Sequence, residues 1–295
     1  MEAEQIRGMN KKVDEVSGRL TEMLDAQGVK SIILKGAANA LFYPEPTSRQ
    51  TGDVDIWVEG GQSEVVKLLE KMKMAVEGSA GTLHVHLDKK IFDVEVEVHF
   101  TATRVSSPQK NRALQQFLSG EVVNRRRAAA GFYVPGIPYA LVMQLSHIKQ
   151  HLFSEGVGLR QLVDYHQLLQ AATEDDLLKV SAQLKPCGLE KMASAVVWVL
   201  REVLHLQNEK MICTPDERRG KYLLRVVLEG GNFGWYANDY RVPVVIRWFK
   251  DRVRFLRLIP FDASESFWRE FFYWGKTICL IPRRVRLRRV ALGKR

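Results

Sequence analysis

The sequence predicts an α/β unit with a small mixed sheet, followed by an all-helical domain and a basic helical C-terminal tail. Three observations carry this reading. Between residues 31 and 100 the segments order as strand, helix, strand, helix, strand, strand. Beyond about residue 110 helical periodicity takes over. The last 55 residues, 241–295, hold 15 Lys and Arg against 4 Asp and Glu. Since the whole 295-residue chain has 44 Lys and Arg against 34 Asp and Glu, residues 1–240 are left with 29 against 30. The basicity belongs to the tail, and a neutral body does not grip a long polyanion across its surface. The expected division is 1–105, 106–240 and 241–295, each of the first two long enough for its own core.

Residues 2–28 read as a helix, with Ile6, Met9, Val13, Val16, Leu20 and Leu24 on one face and Gly28 as its stop. "VKSIILKG" is a short buried strand ending in Gly36, and "AANALFY" is a brief helix closed by Pro44 and Pro46. "DVDIWV" is the second strand, and "QSEVVKLLEKMKMAV" an amphipathic helix with Val65, Leu68, Leu69, Met72 and Val76 together. "TLHVHL" and "IFDVEVEVHF" form a hairpin across a "DKK" turn. Five later stretches are helical by periodicity: "NRALQQFLSGEVV", "PYALVMQLSHIKQHLF", "GLRQLVDYHQLLQAA", "EDDLLKVSAQLKPCG" and "EKMASAVVWVLREVLHL". "AGFYVPG" is a lone extended piece, and "EGGNFGWYAND" a glycine-rich loop leading to the tail.

The charged N-terminus shows no secretory signal, and the longest apolar run, residues 192–200, is about half a membrane span. Cys187, Cys213 and Cys279 fit no zinc or disulfide spacing, which suits free thiols in a reducing cytoplasm.

Chemistry concentrates on two strands. Alternation sends Asp53 and Asp55 to one face of "DVDIWV" and Val54, Ile56 and Val58 to the other. In "IFDVEVEVHF", Asp93, Glu95, Glu97 and His99 likewise share a face. If the two apolar faces cover one core, the carboxylates converge on the opposite side. They then need cations or protons to coexist. Oxygen ligands on rigid strands suit Mg²⁺ or Mn²⁺, with further ligands from substrate phosphates. A solvated polar sheet face satisfies the same spacing. Upstream, Lys35 and Gly36 end a strand and open a helix, an arrangement that presents backbone N–H groups and a cation to an anion.

"LKGAANALFYPEPTSRQTGDVDIWV", "VEVHF", "HIKQHLFSEGVGLRQLVDYHQLL" and "GNFG" together resemble the uncharacterised nucleotidyltransferase family of the polymerase-β-like superfamily, in particular its bacteroidete-type members. The resemblance runs from about residue 31 to 235. It implies the nucleotidyltransferase fold, a divalent metal, and transfer of a nucleoside monophosphate from NTP to an unidentified acceptor with loss of pyrophosphate. By position it implies that Asp53, Asp55 and Glu97 are the metal-binding and catalytic carboxylates, with Glu95 the alternative third member. Gly36 matches the glycine of the family's phosphate turn, Ala37 stands where a serine is frequent, and Lys35 precedes them. A non-catalytic nucleotide-binding or antitoxin-like module on the same fold is the competing class. Addition of nucleotides to RNA is disfavoured by the neutral body.

Arg49 is placed either to clamp a phosphate or to pair with a carboxylate. His147 and His151 lie four apart on one helix face without the glutamate of a zinc motif, so they read as core or hydrogen-bonded histidines. Arg160 and Asp164 are spaced for an internal helix ion pair, and with His151 they are the candidates for an acceptor or domain-interface role. In the tail, Val242, Val245, Ile246, Phe249, Val253 and Leu256 form one apolar face with arginines off it. Such a helix packs on the body, or else lies on an anionic membrane, which makes the chain cytoplasmic or peripheral at the inner membrane surface. Stacking on single-stranded nucleic acid ranks third.

Overall fold

The computed structural model describes residues 3–74, 76–77, 81, 83–88, 94–154, 156–230 and 243–275. Helix α1, Ala3–Asp25, leads into strand β1, Ser31–Ile33, a one-turn helix α2, Ala37–Ala40, and strand β2, Asp53–Val58. Helix α3, Gln62–Lys71, precedes strands β3, Val76–Glu77, β4, His84–Leu87, and β5, Glu95–His99. The sheet runs β1-β2-β5-β4-β3, with β2 and β5 parallel and the other neighbours antiparallel. It is the mixed sheet expected, with one strand more. The helix expected over 62–76 stops early because Lys73 takes a left-handed conformation, φ 57°, which frees Val76 to pair with Leu87.

One sheet face is apolar. Val54, Ile56, Val58, Val85, Leu87, Val96 and Val98 bury there against Val13, Val16, Leu20 and Leu24 of α1 and Val65 and Leu69 of α3. Met9, expected on this face of α1, is exposed, and its neighbour Asn10 is buried instead. The Asn10 amide donates to the Thr47 and Arg49 carbonyls, and its oxygen accepts from the Thr51 N–H and hydroxyl. A polar residue therefore pins the loop that enters β2, which a count of apolar positions cannot register.

The helices α4, Pro108–Glu121, α5, Ile137–Phe153, α6, Leu159–Ala171, α7, Glu174–Leu184, and α8, Glu190–Leu204, follow the expected order. A further helix α9, Glu217–Gly230, packs along α8, with Leu223, Val226 and Val227 in the same core. The extended piece at 131–136 is half of a hairpin, β6, Arg126–Arg127, with β7, Tyr133–Val134. Its Phe132 and Val134 join the core of the α/β unit, while Ile32 of β1 and Leu34 just after it join the helical core. The two cores interlock through these exchanges.

Helix α10, Val244–Leu258, and the helix over 263–275, here α11, form the tail. Leu258 and Phe261 at their junction are buried in the helical core. Buried Lys149 of α5 pairs with Asp262 at 2.9 Å and Glu265 at 3.0 Å. Among the described residues nothing covers most of the apolar face of α10: Ile246, Phe249, Val253 and Leu256 are exposed, Phe249 at 62% and Leu256 at 63%. Of the described tail, it is the junction of the two helices, rather than the stripe, that docks on the body. Val242, the "GNFG" segment, Asp93, the "DKK" turn beyond Asp88 and Cys279 lie outside the described residues, as does the Val245 side chain. Cys187 and Cys213 are free thiols, and no described helix is long and apolar enough to cross a membrane.

Candidate active site

The sheet face opposite the apolar core holds the chemistry. In register, Asp53 lies beside Glu95 and Asp55 beside Glu97 on the parallel pair β2–β5. On the other side of β5, His86 lies opposite Glu97 and His84 opposite His99. Because side chains alternate along each strand, all of these project to one side. The face forms one wall of a cleft of about 980 Å³, and α5 and α6 supply the other, with His147, His151 and Arg160 among its lining. The cleft gathers five of the chain's seven histidines, His84, His86, His99, His147 and His151.

Asp55 is 1% exposed. Its Oδ1 lies 3.0 Å from His99 Nε2 and 3.3 Å from Lys35 Nζ, whereas its buried Oδ2 has no hydrogen-bond partner. Burial opposes the charge on Asp55, yet Lys35 and the His99 hydrogen bond outweigh it and hold the carboxyl well below its usual range. Asp53 goes the other way: burial, with the negative charge of Asp55 next to it, pushes its carboxyl up to about 6. Glu97 resists burial through the His99 hydrogen bond and stays lowered. For His99, burial disfavours the cation but the hydrogen bonds to Asp55 and Glu97 prevail and raise its pKa. Lys35 is likewise raised, because Asp55, Asp53 and Glu97 together overcome its burial.

On α5, His147 Nε2 lies 2.9 Å from His151 Nε2 and 3.5 Å from Lys35 Nζ. Burial first, and then Lys35, keep both imidazoles neutral, with His151 lowered to about 4. The i, i+4 histidines are thus hydrogen-bonded, as their spacing suggested, but to each other and beside the carboxylate face. Neither the role of Lys35 nor its position follows from its being next to Gly36 alone. Gly36 itself has φ 61° and ψ −109°, and a Cβ there would stand 3.4 Å from the Asp53 carbonyl.

One cluster shows Arg49 in its carboxylate-pairing alternative and Arg160 away from the expected helix pair. Arg49 is buried, and its Nε and Nη2 donate to the two oxygens of Asp164 at 2.9 and 2.5 Å. Asp164 also accepts from the Tyr43 hydroxyl at 2.6 Å and the Asn39 amide at 3.0 Å, and Asn39 exchanges bonds with Gln144. The Nε–Nη2 fork of Arg49 is therefore engaged by a carboxylate, and its Nη1 donates to the Gln50 carbonyl at 3.1 Å. Arg160 reaches the Gln50 carbonyl at 3.4 Å instead of pairing with Asp164. A helix pair four residues apart is weak at a solvated surface, whereas burial makes a bidentate partner on another element far more favourable for Asp164.

His84, His86 and Asn39 were not singled out from the sequence. The alternation in "LHVHL" does place both histidines on one face, but only the register against β5 brings them to Glu97 and His99.

A mixed sheet with paired carboxylates on adjacent strands, backed by a helical second half, defines the nucleotidyltransferase fold. Residues 2–205 match the family described as uncharacterised nucleotidyltransferase, and the chain belongs to that family. Among solved structures, it is similar to an antigenic nucleotidyltransferase-like protein from Paracoccidioides brasiliensis. The identity is 14%, the coverage 70% of this chain and 96% of that one, and the TM-score 0.42. It is also similar to a tRNA nucleotidyltransferase complexed with a primer tRNA and an incoming ATP analog, at 14% identity, 88% and 99% coverage, and a TM-score of 0.26. No curated protein matches the chain.

Proposed function

We propose that the protein transfers a nucleoside monophosphate from NTP to an acceptor hydroxyl, using a divalent cation held by Asp53, Asp55 and Glu97. The observation that carries this is the pairing of Asp55 with Glu97 on parallel strands, with Asp53 two residues away on the same face. The donor set fits a cation. The buried Asp55 Oδ2 lacks a partner, and burial together with the neighbouring Asp55 charge holds the Asp53 carboxyl up at about 6, a cost that a positive charge would relieve. A bound ion would polarise the phosphates and steady the departing pyrophosphate. In the reaction, a bond forms from the acceptor oxygen to the α-phosphorus as the bond to pyrophosphate breaks. Lys35 lines the cleft beside these carboxylates and would meet phosphate oxygens once an ion takes over the neutralisation of Asp55.

The direct test is incubation with labelled NTPs, Mg²⁺ or Mn²⁺ and a cell extract, followed by identification of the labelled acceptor. Asp53→Asn with Asp55→Asn should abolish labelling while circular dichroism stays unchanged, because loss of the ion forfeits several kcal/mol of charge stabilisation, about 10²-fold or more in rate. Labelling by the double variant would overturn the reading. A second reading has its own observation: Lys35 and His99 already neutralise Asp55 without an ion. A nucleotide-binding module without catalysis would bind NTP and label nothing.

The tail extends the proposal. Its exposed Ile246, Phe249, Val253 and Leu256, with Phe267 and Phe271 of α11, sit among a Lys and Arg excess of 11 over residues 241–295. That combination suits an anionic lipid surface.

A further inference from the structure

We propose that His84, Glu97 and His99 form a cation site of mixed imidazole and carboxylate donors, suited to a first-row transition ion such as Zn²⁺, Mn²⁺ or Co²⁺ in preference to Mg²⁺. It deepens the reading above by sharing Glu97, but its test does not depend on nucleotidyl transfer.

The geometry comes from the register. His84 faces His99 across the antiparallel pair β4–β5, and Glu97 lies two residues along on the same face. One ligand atom from each of the three lies within 4.8 Å of the others. His99 Nε2 is 3.4 Å and His84 Nε2 3.9 Å from Glu97 Oε2. Donors about 2.1 Å from a tetrahedral ion stand roughly 3.4 Å apart, so a small rotation of the half-exposed His84 completes the set. Asp55 Oδ1, 3.0 Å from His99 Nε2, is the nearest further oxygen.

A second observation points to a ligand. Asp55 is 1% exposed, and its Oδ2, on the carboxylate whose Oδ1 lies 3.0 Å from His99 Nε2, has no hydrogen-bond partner. A buried carboxylate oxygen left unpaired is unusual in a finished protein interior. Mg²⁺ takes oxygen ligands and retains its waters, whereas imidazole nitrogen shifts the preference toward Zn²⁺ and its neighbours.

The test is titration of the full-length, chelator-stripped protein with Co²⁺, followed by visible absorption. The proposal expects about one equivalent of Co²⁺ with the intense bands of a four- or five-coordinate nitrogen-containing site. Zn²⁺ should bleach the bands, and excess Mg²⁺ should not. His84→Ala should lose them while Asp53→Asn retains them, with thermal unfolding verifying that both variants are folded. A pale octahedral spectrum, bands unaffected by His84→Ala, or displacement by Mg²⁺ would each overturn it. Should bands appear with no transfer from labelled NTPs, the site stands and the catalytic reading falls. Transfer with Mg²⁺ in the absence of bands gives the reverse.

Discussion

Arg49 illustrates how one side chain can satisfy a sequence motif and serve another purpose. Its fork meets a carboxylate 115 residues away, inside a cluster sealed by Tyr43 and Asn39. Removing one member of a buried pair strands the other charge, so Arg49→Ala should lower unfolding stability by about 3–5 kcal/mol in urea titrations. Unchanged stability with weakened NTP binding would restore the phosphate role. Gly36 also changes meaning. Its φ of 61° and ψ of −109° suit glycine alone, so Gly36→Ala should cost about 1–3 kcal/mol in stability before any ligand is added. A variant with unaltered thermal midpoint would show that the turn relaxes.

At the scale of elements, helices α8 and α9 approach closely because Gly220 leaves room for Trp198. A Cβ at residue 220 would lie 2.2 Å from the indole. Gly220→Ala should therefore force the two helices apart at a cost of about 1–3 kcal/mol, read as a lower denaturation midpoint. The tail is fastened differently, by Lys149 beneath Asp262 and Glu265. Burial opposes the charge on Asp262, but Lys149 and Lys191 keep its carboxyl below the ordinary value of 3.8. A depressed carboxyl stabilises the fold above its unfolded pKa, and the contribution disappears as pH falls below about 4. Lys149→Met should thus cost about 3–5 kcal/mol at pH 7, and the gap to the parent protein should narrow below pH 4. An equal gap at pH 7 and pH 3 would show that lost packing, not charge, is responsible.

Across the whole molecule, charge is divided between a neutral body and a basic tail. The carboxylate face and cleft lie in the first 240 residues, and the tail contributes exposed aromatic faces beyond a buried junction. Phe267 of α11 is 62% exposed. The intact protein should sediment with phosphatidylserine vesicles at low salt and be released at high salt, since screening over roughly 8–10 Å weakens attraction to anionic lipid. Phe249→Asp with Phe267→Asp should abolish sedimentation without altering the sheet. Failure of the parent protein to bind at low salt would show that these faces serve something other than a membrane.

Local pattern was enough for the helices α1 and α4–α8, the alternation of β2 and β5, and the placement of Asp53, Asp55, Glu97 and His99 on a polar face. These follow from periods of 3.6 and 2, which any short window of sequence contains. Helix α9 carries a similar period, obscured in a short window by its glycines and charges. The sequence alone also determined that the charge excess lies in the tail. It did not determine that β2 and β5 are parallel neighbours, that β4 brings His84 and His86 to Glu97, or that α5 sets His147 against Lys35. Nor did it separate Arg49 as phosphate clamp from Arg49 as partner of Asp164. Each of these is a meeting of residues 112 or 115 positions apart, or a register between strands. Such meetings are fixed by which apolar faces share a core, and only the packed tertiary structure decides that.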